Sequence, residues 1–349
     1  MRHLWTGAVI WACVWLGGMG GTPLAFGQQT FITSLQRPNG VTTNAAGEVF
    51  VHHDVALQNF VTRFLPTGTS MGSFPIGTFT DLNFSGRLAT DPGTGPGTVR
   101  ILDLVQAGVL FRIDPAIGVP APLIDLRAAP LDVSRAYDIG TRQVQNFAGV
   151  IVPGQITYGD VAVLRRGPQL DIYLTGVSGR TAFVLRIREA SGTLSVPRVL
   201  VASALTPAGT VIQPRGVAVN NVGTVLTTLP ALATPGGVLD SLVMFSADIE
   251  PVVTGPPPTV TVGVSEFISR GMATDTFGNF FVTTGLNAAN QCGGSVSPAL
   301  GIFILQPPAS LCLPIGGVPS GVLALDVAVS PTGSRTYLTL TSGAVVFFQ

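Results

Sequence analysis

The chain has 349 residues, of which 46% are apolar and 10% are charged, and its 18 basic residues, all of them arginine, balance 18 acidic residues. This balance excludes the strongly basic surface that binding to nucleic acid or to an anionic membrane requires. The absence of lysine excludes a Schiff-base lysine and a phosphate-binding loop that ends in Gly-Lys. The few charges and 43 glycines favour sheets stacked face to face, with strands buried on both sides.

The first residues have the pattern of an export signal. Arg2 and His3 precede an apolar run over residues 4–16, which is short for a membrane span of about 20 residues. The pattern predicts a signal peptide over residues 1–27 and a mature protein, residues 28–349, that forms a single domain. We expect this domain to be secreted or periplasmic, with no membrane insertion after signal removal.

A strand–turn–strand phrase recurs six times along the chain. Each copy is an alternating apolar strand, a turn rich in Gly, Asn, Asp or Pro, and a second apolar strand. The copies begin at Gly40, Arg87, Asp160, Gly216, Gly271 and Asp326. A period of roughly 50 residues built from strands is typical of a β-propeller, in which sheets are arranged around an axis. The sequence therefore predicts an all-β protein, a six-bladed β-propeller.

Further apolar segments after each phrase predict the third and fourth strands of a blade, so that each blade has four antiparallel strands. The last copy is an exception, because its third strand is followed only by Gln349. An additional strand near the other end, over about residues 30–35, can supply the missing one. We therefore predict that this N-terminal strand completes the last blade, closes the ring and removes exposed strand edges.

Blade one reads RPNGVTTNAAGEVFVHHD from Arg37 and VTRFLPTGTSMGSF from Val61, and it resembles an NHL repeat. Over nearly the whole mature chain, the pattern of strands and turns resembles the six-bladed NHL and SMP-30-like propellers. Such propellers include lactonases, lyases and binding modules. SMP-30-like lactonases hold a divalent cation at the channel mouth with carboxylates and an asparagine. The resemblance thus implies Asp160, Asp326 and Asn39 as oxygen ligands for calcium.

The alternation of strand directions divides the connections between two faces. Connections from first to second and from third to fourth strands are mostly short, and we call their side the short-turn face. The opposite, long-loop face carries longer connections, above all an insertion over residues 127–159. Function concentrates on long loops held by a rigid scaffold, so we expect the binding site on the long-loop face. The insertion is either a lid or wall over the central mouth or a loop that packs on the surface.

The first residues of the innermost strands should surround the central channel near the long-loop face. These positions offer Asn39, Arg87, Asp160, Arg215, Arg270 and Asp326. Arginine forks bind carboxylate or phosphate oxygens, and aspartates accept hydrogen bonds from hydroxyl groups, so this ring is a candidate site for an anionic or hydroxylated ligand. In the alternative interpretation, the charges pair with one another and plug the channel.

Three polar residues, His52, His53 and Asp54, follow one another at the end of the second strand of blade one. Such a group could ligate a metal or act as acid and base. Side chains alternate along a strand, so the two histidines should point to opposite faces and chelate a metal together poorly. We assign no catalytic residue from the sequence.

Three hypotheses of function follow. The first is a monomeric propeller that recognises a small anionic or glycan-like ligand, or another envelope protein, at the long-loop face without a cofactor. The second is a metal-dependent hydrolase (lactonase) or lyase of the SMP-30/NHL type that uses calcium. The third is a structural envelope protein with a plugged channel.

Cys292 and Cys312 are the two cysteines that remain after signal removal. An even pair in an exported protein predicts one disulfide bond. We expect that alkylation of the native protein modifies neither cysteine until a reductant is added. Mass spectrometry measures this, and alkylation of both without reductant would contradict the prediction.

Overall fold

The computed structural model describes residues 29–33, 35–56, 58–78, 86–94, 100–105, 107–203, 215–234, 237–252, 258–264, 271–283, 302–305 and 322–349. These residues form β-strands and no helix, which confirms the predicted all-β class. The described part of the chain accordingly has no helix with the length and apolarity of a membrane span. The predicted signal peptide, Arg270, Cys292 and Cys312 lie outside the described residues.

The described strands form six sheets. Strand β1 (Gln29–Ile32) belongs to sheet 6. Sheet 1 contains β2 (Pro38–Thr43), β3 (Val49–Val55), β4 (Gln58–Phe64) and β5 (Ser70–Thr78). Sheet 2 contains β6 (Gly86–Asp91), β7 (Arg100–Val105), β8 (Val109–Ile113) and β9 (Pro120–Asp125). Sheet 3 contains β10 (Ala136–Asp138), β11 (Gln143–Gln145), β12 (Ile156–Arg166), β13 (Gln169–Ser178), β14 (Thr181–Ala190), β15 (Thr193–Leu194) and β16 (Arg198–Ala202).

The remaining three sheets follow in chain order. Sheet 4 contains β17 (Val217–Val219), β18 (Thr224–Thr234), β19 (Gly237–Ser246) and β20 (Val260–Val264). Sheet 5 contains β21 (Met272–Thr274), β22 (Phe280–Thr283) and β23 (Ile302–Leu305). Sheet 6 contains β24 (Ala324–Val329), β25 (Thr336–Leu340), β26 (Val345–Phe348) and β1. Sheets 1, 2, 4 and 6 thus have the four strands expected of a propeller blade.

The turn inside the repeated phrase has a local cause. In sheet 1, the side-chain Oδ1 of Asn44 accepts a hydrogen bond from the backbone N–H of Glu48 at 3.0 Å. Gly47 has a φ of 76°, a conformation that costs little without a side chain. Asn220 and Asp275 accept equivalent bonds in the turns of sheets 4 and 5. The Asn/Asp and Gly positions therefore fix the short hairpin that joins the two innermost strands.

Buried apolar side chains form six clusters, each between two sheets that follow one another. They lie between sheets 1 and 2, 2 and 3, 3 and 4, 4 and 5, 5 and 6, and 6 and 1. Burying one leucine or phenylalanine side chain contributes about 2 kcal/mol, so these interfaces are the main source of stability. The sheets therefore pack face to face in a propeller-like circuit.

A cavity of about 170 Å³ lies among the innermost strands. Strands β2, β6, β12, β17, β21 and β24 all contribute to its wall, and each of them contacts the next, with β24 contacting β2. Every described residue that lines it is apolar or threonine. The cavity therefore marks the axis of the propeller-like arrangement, and no charged side chain of the described chain lines it.

The two ends of the described chain meet in sheet 6. Strand β1 pairs antiparallel with β26, with Gln29 opposite Phe347 and Thr30 opposite Val346. The Phe31 ring packs edge to face against Tyr337 with the ring centroids 5.1 Å apart, and it also contacts Phe347. The structure therefore contains the pairing of the N-terminal strand with the last strand that the sequence predicts.

The insertion over residues 127–159 supplies a β-hairpin to sheet 3. Strand β10 pairs with β11 and, in parallel, with β16, so the hairpin extends the outer edge of the sheet. Phe147 and Ile151 are buried between sheets 2 and 3, and Tyr137 between sheets 3 and 4. This hairpin packs on the periphery, far from the innermost strand β12, and is not a lid over the axis.

Arginine pairs join neighbouring sheets near the short-turn face. The guanidinium of Arg165 in sheet 3 makes two bonds, 2.7 and 2.6 Å, to the carboxylate of Asp91 in sheet 2. Arg112 in sheet 2 binds Glu189 in sheet 3 in the same two-pronged way, at 3.0 and 2.5 Å. Partly buried bidentate pairs of this kind fix geometry as well as charge. Several of the chain's few charges therefore hold one sheet to the next.

We predict that Phe31→Ala destabilises the protein by about 2 kcal/mol, because it removes the aromatic contacts that hold β1 on sheet 6. Urea unfolding measures the change in the free energy of unfolding. Met71→Ala is the control, since Met71 is 53% exposed and its truncation should cost less than about 0.5 kcal/mol. Equal stability of Phe31→Ala and the control would show that β1 does not contribute to the fold.

Candidate functional site

Asp160 and Asp326 begin the innermost strand segments of sheets 3 and 6 that line the axis, and both side chains are buried. The Asp160 carboxylate accepts bonds from the backbone N–H groups of Val161 and Val217, each at 2.9 Å. Asp326 accepts equivalent bonds from Val327 and Val41, also at 2.9 Å. Each carboxylate therefore joins its own strand to the innermost strand of the following sheet.

Arg87 is buried in the same ring. Its Nη1 donates to the backbone oxygens of Asn39 at 2.5 Å and Gly86 at 3.2 Å. The Asn39 side chain donates from Nδ2 to Asp54 Oδ2 at 3.4 Å. The structure thus brings Asn39, Arg87, Asp160 and Asp326 to the long-loop end of the axis, with backbone groups as hydrogen-bond partners of the three charged side chains.

The two aspartates influence each other. Burial, and next the charge of Asp326, raise the pKa of Asp160 well above its usual value, while the Arg87 charge and the two backbone bonds oppose this shift. Burial raises the pKa of Asp326 to about 6, against the opposing effects of Arg87 and of the backbone bonds from Val41 and Val327. The ring therefore disfavours two negative charges at once.

The structure describes less of the other two predicted members of the ring, Arg215 and Arg270. Arg215 is partly buried, and its backbone oxygen accepts a hydrogen bond from the Thr175 hydroxyl. Arg270 lies outside the described residues, whereas Gly271 after it packs against Asp326. A ligand-binding role for these arginines stays a prediction.

The resemblance implied calcium bound by Asp160, Asp326 and Asn39, but their contacts do not fit this ion. Calcium takes about six to eight oxygen ligands. Both oxygens of each aspartate already accept backbone N–H bonds, and the Arg87 guanidinium binds the Asn39 carbonyl. Among the residues that the structure describes, no group of three or more His, Cys, Asp or Glu side chains could hold a metal ion.

A second polar group, which we call the Asp54 cluster, consists of Asp54, His52, Asp103, Asn59 and Asn39. Within it, His52 Nδ1 lies 3.0 Å from both oxygens of Asp103, and Nε2 lies 3.0 Å from Asn59 Oδ1. Nε2 is also 3.6 Å from Asp54 Oδ1. Residue 86 must be glycine here, because a Cβ would lie 2.2 Å from His52 Nδ1.

His52 carries a positive charge in this environment. Burial opposes the charged imidazole, but the negative charge of Asp103 and the hydrogen bonds to Asp103, Asp54 and Asn59 outweigh it and raise the pKa of His52 to about 10. Both ring nitrogens therefore donate hydrogen bonds near neutral pH. The result is a chain of charges, Asp103–His52–Asp54, which begins in the core between sheets 1 and 2.

Asp54 is the end of this series of charged side chains that lies at the long-loop face. Its side chain is 10% exposed, whereas the side chains of His52 and Asp103 are fully buried. Its backbone N–H donates to the carbonyl of Gln36 at 3.1 Å. Arg37, the next residue after Gln36, is exposed and has a φ of 46°. Such a conformation is costly for a residue with a side chain and is often found at binding sites. The backbone of the exposed Arg37 is therefore close to that of Asp54.

His53 has a different environment from its neighbour. Its Nε2 bonds to the Thr62 hydroxyl at 2.8 Å, and its ring stacks on Phe60 with the centroids 5.8 Å apart. Burial and the charge of His52 lower the pKa of His53 to about 4, so the ring is neutral near pH 7. The adjacent histidines do not share a ligand-binding position, as the alternation of side chains predicts.

Sequence reasoning did not find Asp103 and Asn59. A signal existed for Asp103, because it interrupts the apolar strand RILDLV at Arg100–Val105 with a charge, and buried charges need partners. The sequence does not show that its partner is a histidine 51 positions earlier.

The fold is shared with solved structures of low sequence identity. A calcium-binding protein, regucalcin, from Agrobacterium tumefaciens is 13% identical over 94% of this chain and 95% of that chain, with a TM-score of 0.55. A gluconolactonase from Xanthomonas campestris is 13% identical over 92% of this chain and 88% of that chain, with a TM-score of 0.52. No protein-family model matches the chain, and no curated protein matches it. The resemblance to SMP-30-like β-propellers is thereby confirmed at the level of the fold.

We predict that His52 makes stability depend on pH in the alkaline range. Its pKa of about 10 exceeds the ordinary 6.5, so the charged ring stabilises the fold fully below pH 6.5, and this contribution is lost as the pH rises toward 10. His52→Gln should be less stable by roughly 3 kcal/mol at neutral pH and should lose less further stability up to pH 10. Denaturant unfolding across this range measures both.

The control is His53→Gln. The pKa of His53 is about 4, so this group titrates below pH 6.5 and its replacement should leave the alkaline decline unchanged. If wild type and His52→Gln lose stability in parallel between pH 7 and 10, His52 is not held in its charged form.

Proposed function

We propose that the protein is a six-bladed β-propeller with four-stranded blades. The six described sheets, the six apolar clusters and the six strands around one cavity support this count. Sheet 5 has three strands among the described residues. The fourth strand that the sequence predicts for this blade lies outside the described residues.

For its activity, we propose hydrolysis of a lactone of a small hydroxylated acid at the long-loop face, a reaction that SMP-30-like propellers also include. The observation that carries this proposal is the Asp54 cluster, in which a buried His52–Asp103 pair contacts a carboxylate that is 10% exposed, and the backbone of this aspartate is close to that of the exposed Arg37. The same fold occurs in a protein described as a gluconolactonase. A fold alone does not select a reaction, so the site residues are the basis of the proposal.

Hydrolysis of a lactone needs a general base, a group that fixes the orientation of this base, and a cation. Asp54 accepts a proton from a water molecule whose oxygen attacks the lactone carbonyl carbon. As the new C–O bond forms and the ring C–O bond breaks, the proton passes from Asp54 to the leaving alkoxide. His52 orients Asp54 through its positive charge, with Nε2 3.6 Å from Asp54 Oδ1. Arg37 binds the oxygen that gains negative charge.

Binding without turnover is the second candidate. The exposed Arg37, with its unusual φ of 46°, favours recognition of an anionic or glycan-like ligand, or of an envelope partner. In this case, the Asp54 carboxylate accepts hydrogen bonds from ligand hydroxyl groups. Saturable binding of sugar acids with no release of product from lactones would support this candidate over the first.

Export and a monomeric state belong to the same proposal. The apolar leader over residues 1–27 and the cysteine pair Cys292 and Cys312 support a secreted or periplasmic location. A small molecule is the partner that the Asp54 cluster favours.

We predict that Asp54→Asn lowers the rate of lactone opening by about 100-fold or more, because it removes the general base. A pH-stat assay with a panel of sugar lactones measures the rate. Asp125→Asn is the control, since Asp125 is an exposed carboxylate paired with Arg127 on the surface. An Asp54→Asn variant that is as active as wild type would remove Asp54 from the mechanism.

We predict that Arg37→Ala weakens binding of the anionic product by roughly 10-fold, the loss of one charge-assisted hydrogen-bonding side chain. Calorimetric titration with the sugar acid measures this. Arg127→Ala, which alters an exposed arginine of the insertion, should bind as wild type does. Equal affinity of both variants would place the ligand elsewhere.

A further inference from the structure

The aromatic side chain of Phe277 projects from the short-turn face. Phe277 lies in the turn between β21 and β22, the two innermost strands of sheet 5, and it is 77% exposed. The neighbouring turn, between β17 and β18 of sheet 4, carries Val222, which is 78% exposed. Aromatic side chains exposed to this extent are enriched at protein interfaces, because their burial against a partner removes a large apolar area from water.

Hydrogen bonds hold the Phe277 turn, residues 275–279, in one conformation. Oδ1 of Asp275 accepts a bond from the backbone N–H of Phe277 at 2.9 Å. The backbone oxygen of Thr276 accepts a bond from Nδ2 of Asn221 in sheet 4 at 2.9 Å. The Thr276 hydroxyl donates to the backbone oxygen of Pro331, in the corresponding turn of sheet 6, at 3.1 Å. Because the turn is fixed from both sides, burial of the Phe277 ring against a partner requires little further ordering of the backbone.

A groove of about 680 Å³ opens on the same face, between the innermost turns of sheets 2 and 3. Residues 92–94 follow β6, and residues 167 and 168 join β12 to β13. The walls of the groove are mostly proline and glycine. The described residues that line it are Pro92, Gly93, Thr94, Arg165, Gly167 and Pro168.

The arginines at this groove are already paired with carboxylates. Arg165 makes two bonds to Asp91, and the neighbouring Arg166 pairs with Asp248. A compensated guanidinium attracts an anion weakly, whereas its planar surface stacks well on an aromatic ring. Together with the proline side chains, it makes the groove a better fit for an aromatic side chain than for an anion.

The Phe277 turn and the groove are placed so that two copies of the chain fit each other. Both lie on the short-turn face, and both are formed at the ends of innermost strands, so they lie at similar distances from the axis. A two-fold axis that brings two short-turn faces together makes the same contact twice, with each Phe277 ring at the groove of the other copy. The chain has 18 basic and 18 acidic residues, so identical copies do not repel each other through net charge.

We propose that the short-turn face is a self-association surface, at which the Phe277 ring of each copy enters the groove between sheets 2 and 3 of the other. The dimer leaves both long-loop faces, with their Asp54 clusters, open at its two ends. The inference goes beyond lactone hydrolysis and does not depend on it. The monomer proposed above is then the state of the dilute protein, and the dimer forms as the concentration rises.

Sedimentation of the native protein over a wide range of concentration measures the dissociation constant of the dimer. We expect wild type to shift from monomer to dimer. Phe277→Ala should raise the dissociation constant by about 100-fold, because a two-fold contact loses two aromatic anchors at once. Pro168→Glu should raise it by about 10-fold or more, since a charge in the groove opposes burial of the ring. The control is Val196→Ala at the outer strands of sheet 3, where Val196 is 52% exposed. It should change the constant by less than about 3-fold.

A mixture of Phe277→Ala and Pro168→Glu distinguishes a fitted contact from general apolar attraction. Each mixed dimer keeps one intact contact, the Phe277 ring of the Pro168→Glu copy in the groove of the Phe277→Ala copy. The mixture should therefore associate more tightly than either variant alone. Both substitutions are at exposed positions, so both variants should unfold at the same denaturant concentration as wild type.

Three results would overturn the proposal. One is a wild type that stays monomeric at every concentration, including one that binds neutral lipid vesicles through Phe277 instead. Another is a dimer that Phe277→Ala and Val196→Ala weaken equally. The third is a mixture of the two variants that associates no more tightly than its components.

Discussion

The antiparallel pairing of β1 with β26 joins the beginning and the end of the described chain in one sheet, and the other contacts of the axis depend on it. Sheet 6 then packs on sheet 1 through a cluster that includes Ile32 and Val41. The same contact brings the Val41 N–H to Asp326, a residue 285 positions away. If the first strand were displaced, this bond and the position of the neighbouring Asn39 would change together.

The few charges of the chain are distributed according to the packing of the sheets. Arginine–carboxylate pairs join neighbouring sheets near the short-turn face, as between Arg165 and Asp91. At the other end of the axis, Asp160, Asp326 and Arg87 bind backbone groups and are buried. The three charged residues of the ring are thus held by backbone groups, and a ligand-binding role of the ring stays a prediction. A slightly more exposed carboxylate, that of Asp54, lies in a second polar cluster with the His52–Asp103 pair.

Much of this fold could be predicted from the sequence, because the repeated phrase encodes its strands and hairpins locally. Asn44 and Gly47 fix a turn within five residues, and the missing last strand pointed to β1. The partners of His52 could not be predicted, since Asp103 belongs to the next sheet and its distance depends on how two sheets pack. For a similar reason, the sequence left two alternatives open for the insertion. Its hairpin pairs with β16, which follows about 60 residues later in the chain and belongs to a sheet that the sequence pattern does not delimit.

Hydrogen exchange of the native full chain tests the closure of the circuit most directly, because backbone amides exchange slowly only where they are held in hydrogen bonds. We expect the amides of β1 that pair with β26 to be protected to a degree similar to those of β25 in the middle of sheet 6. Rapid, unprotected exchange over β1, with β25 still protected, would contradict the closed circuit and with it the arrangement of the axis and of the Asp54 cluster.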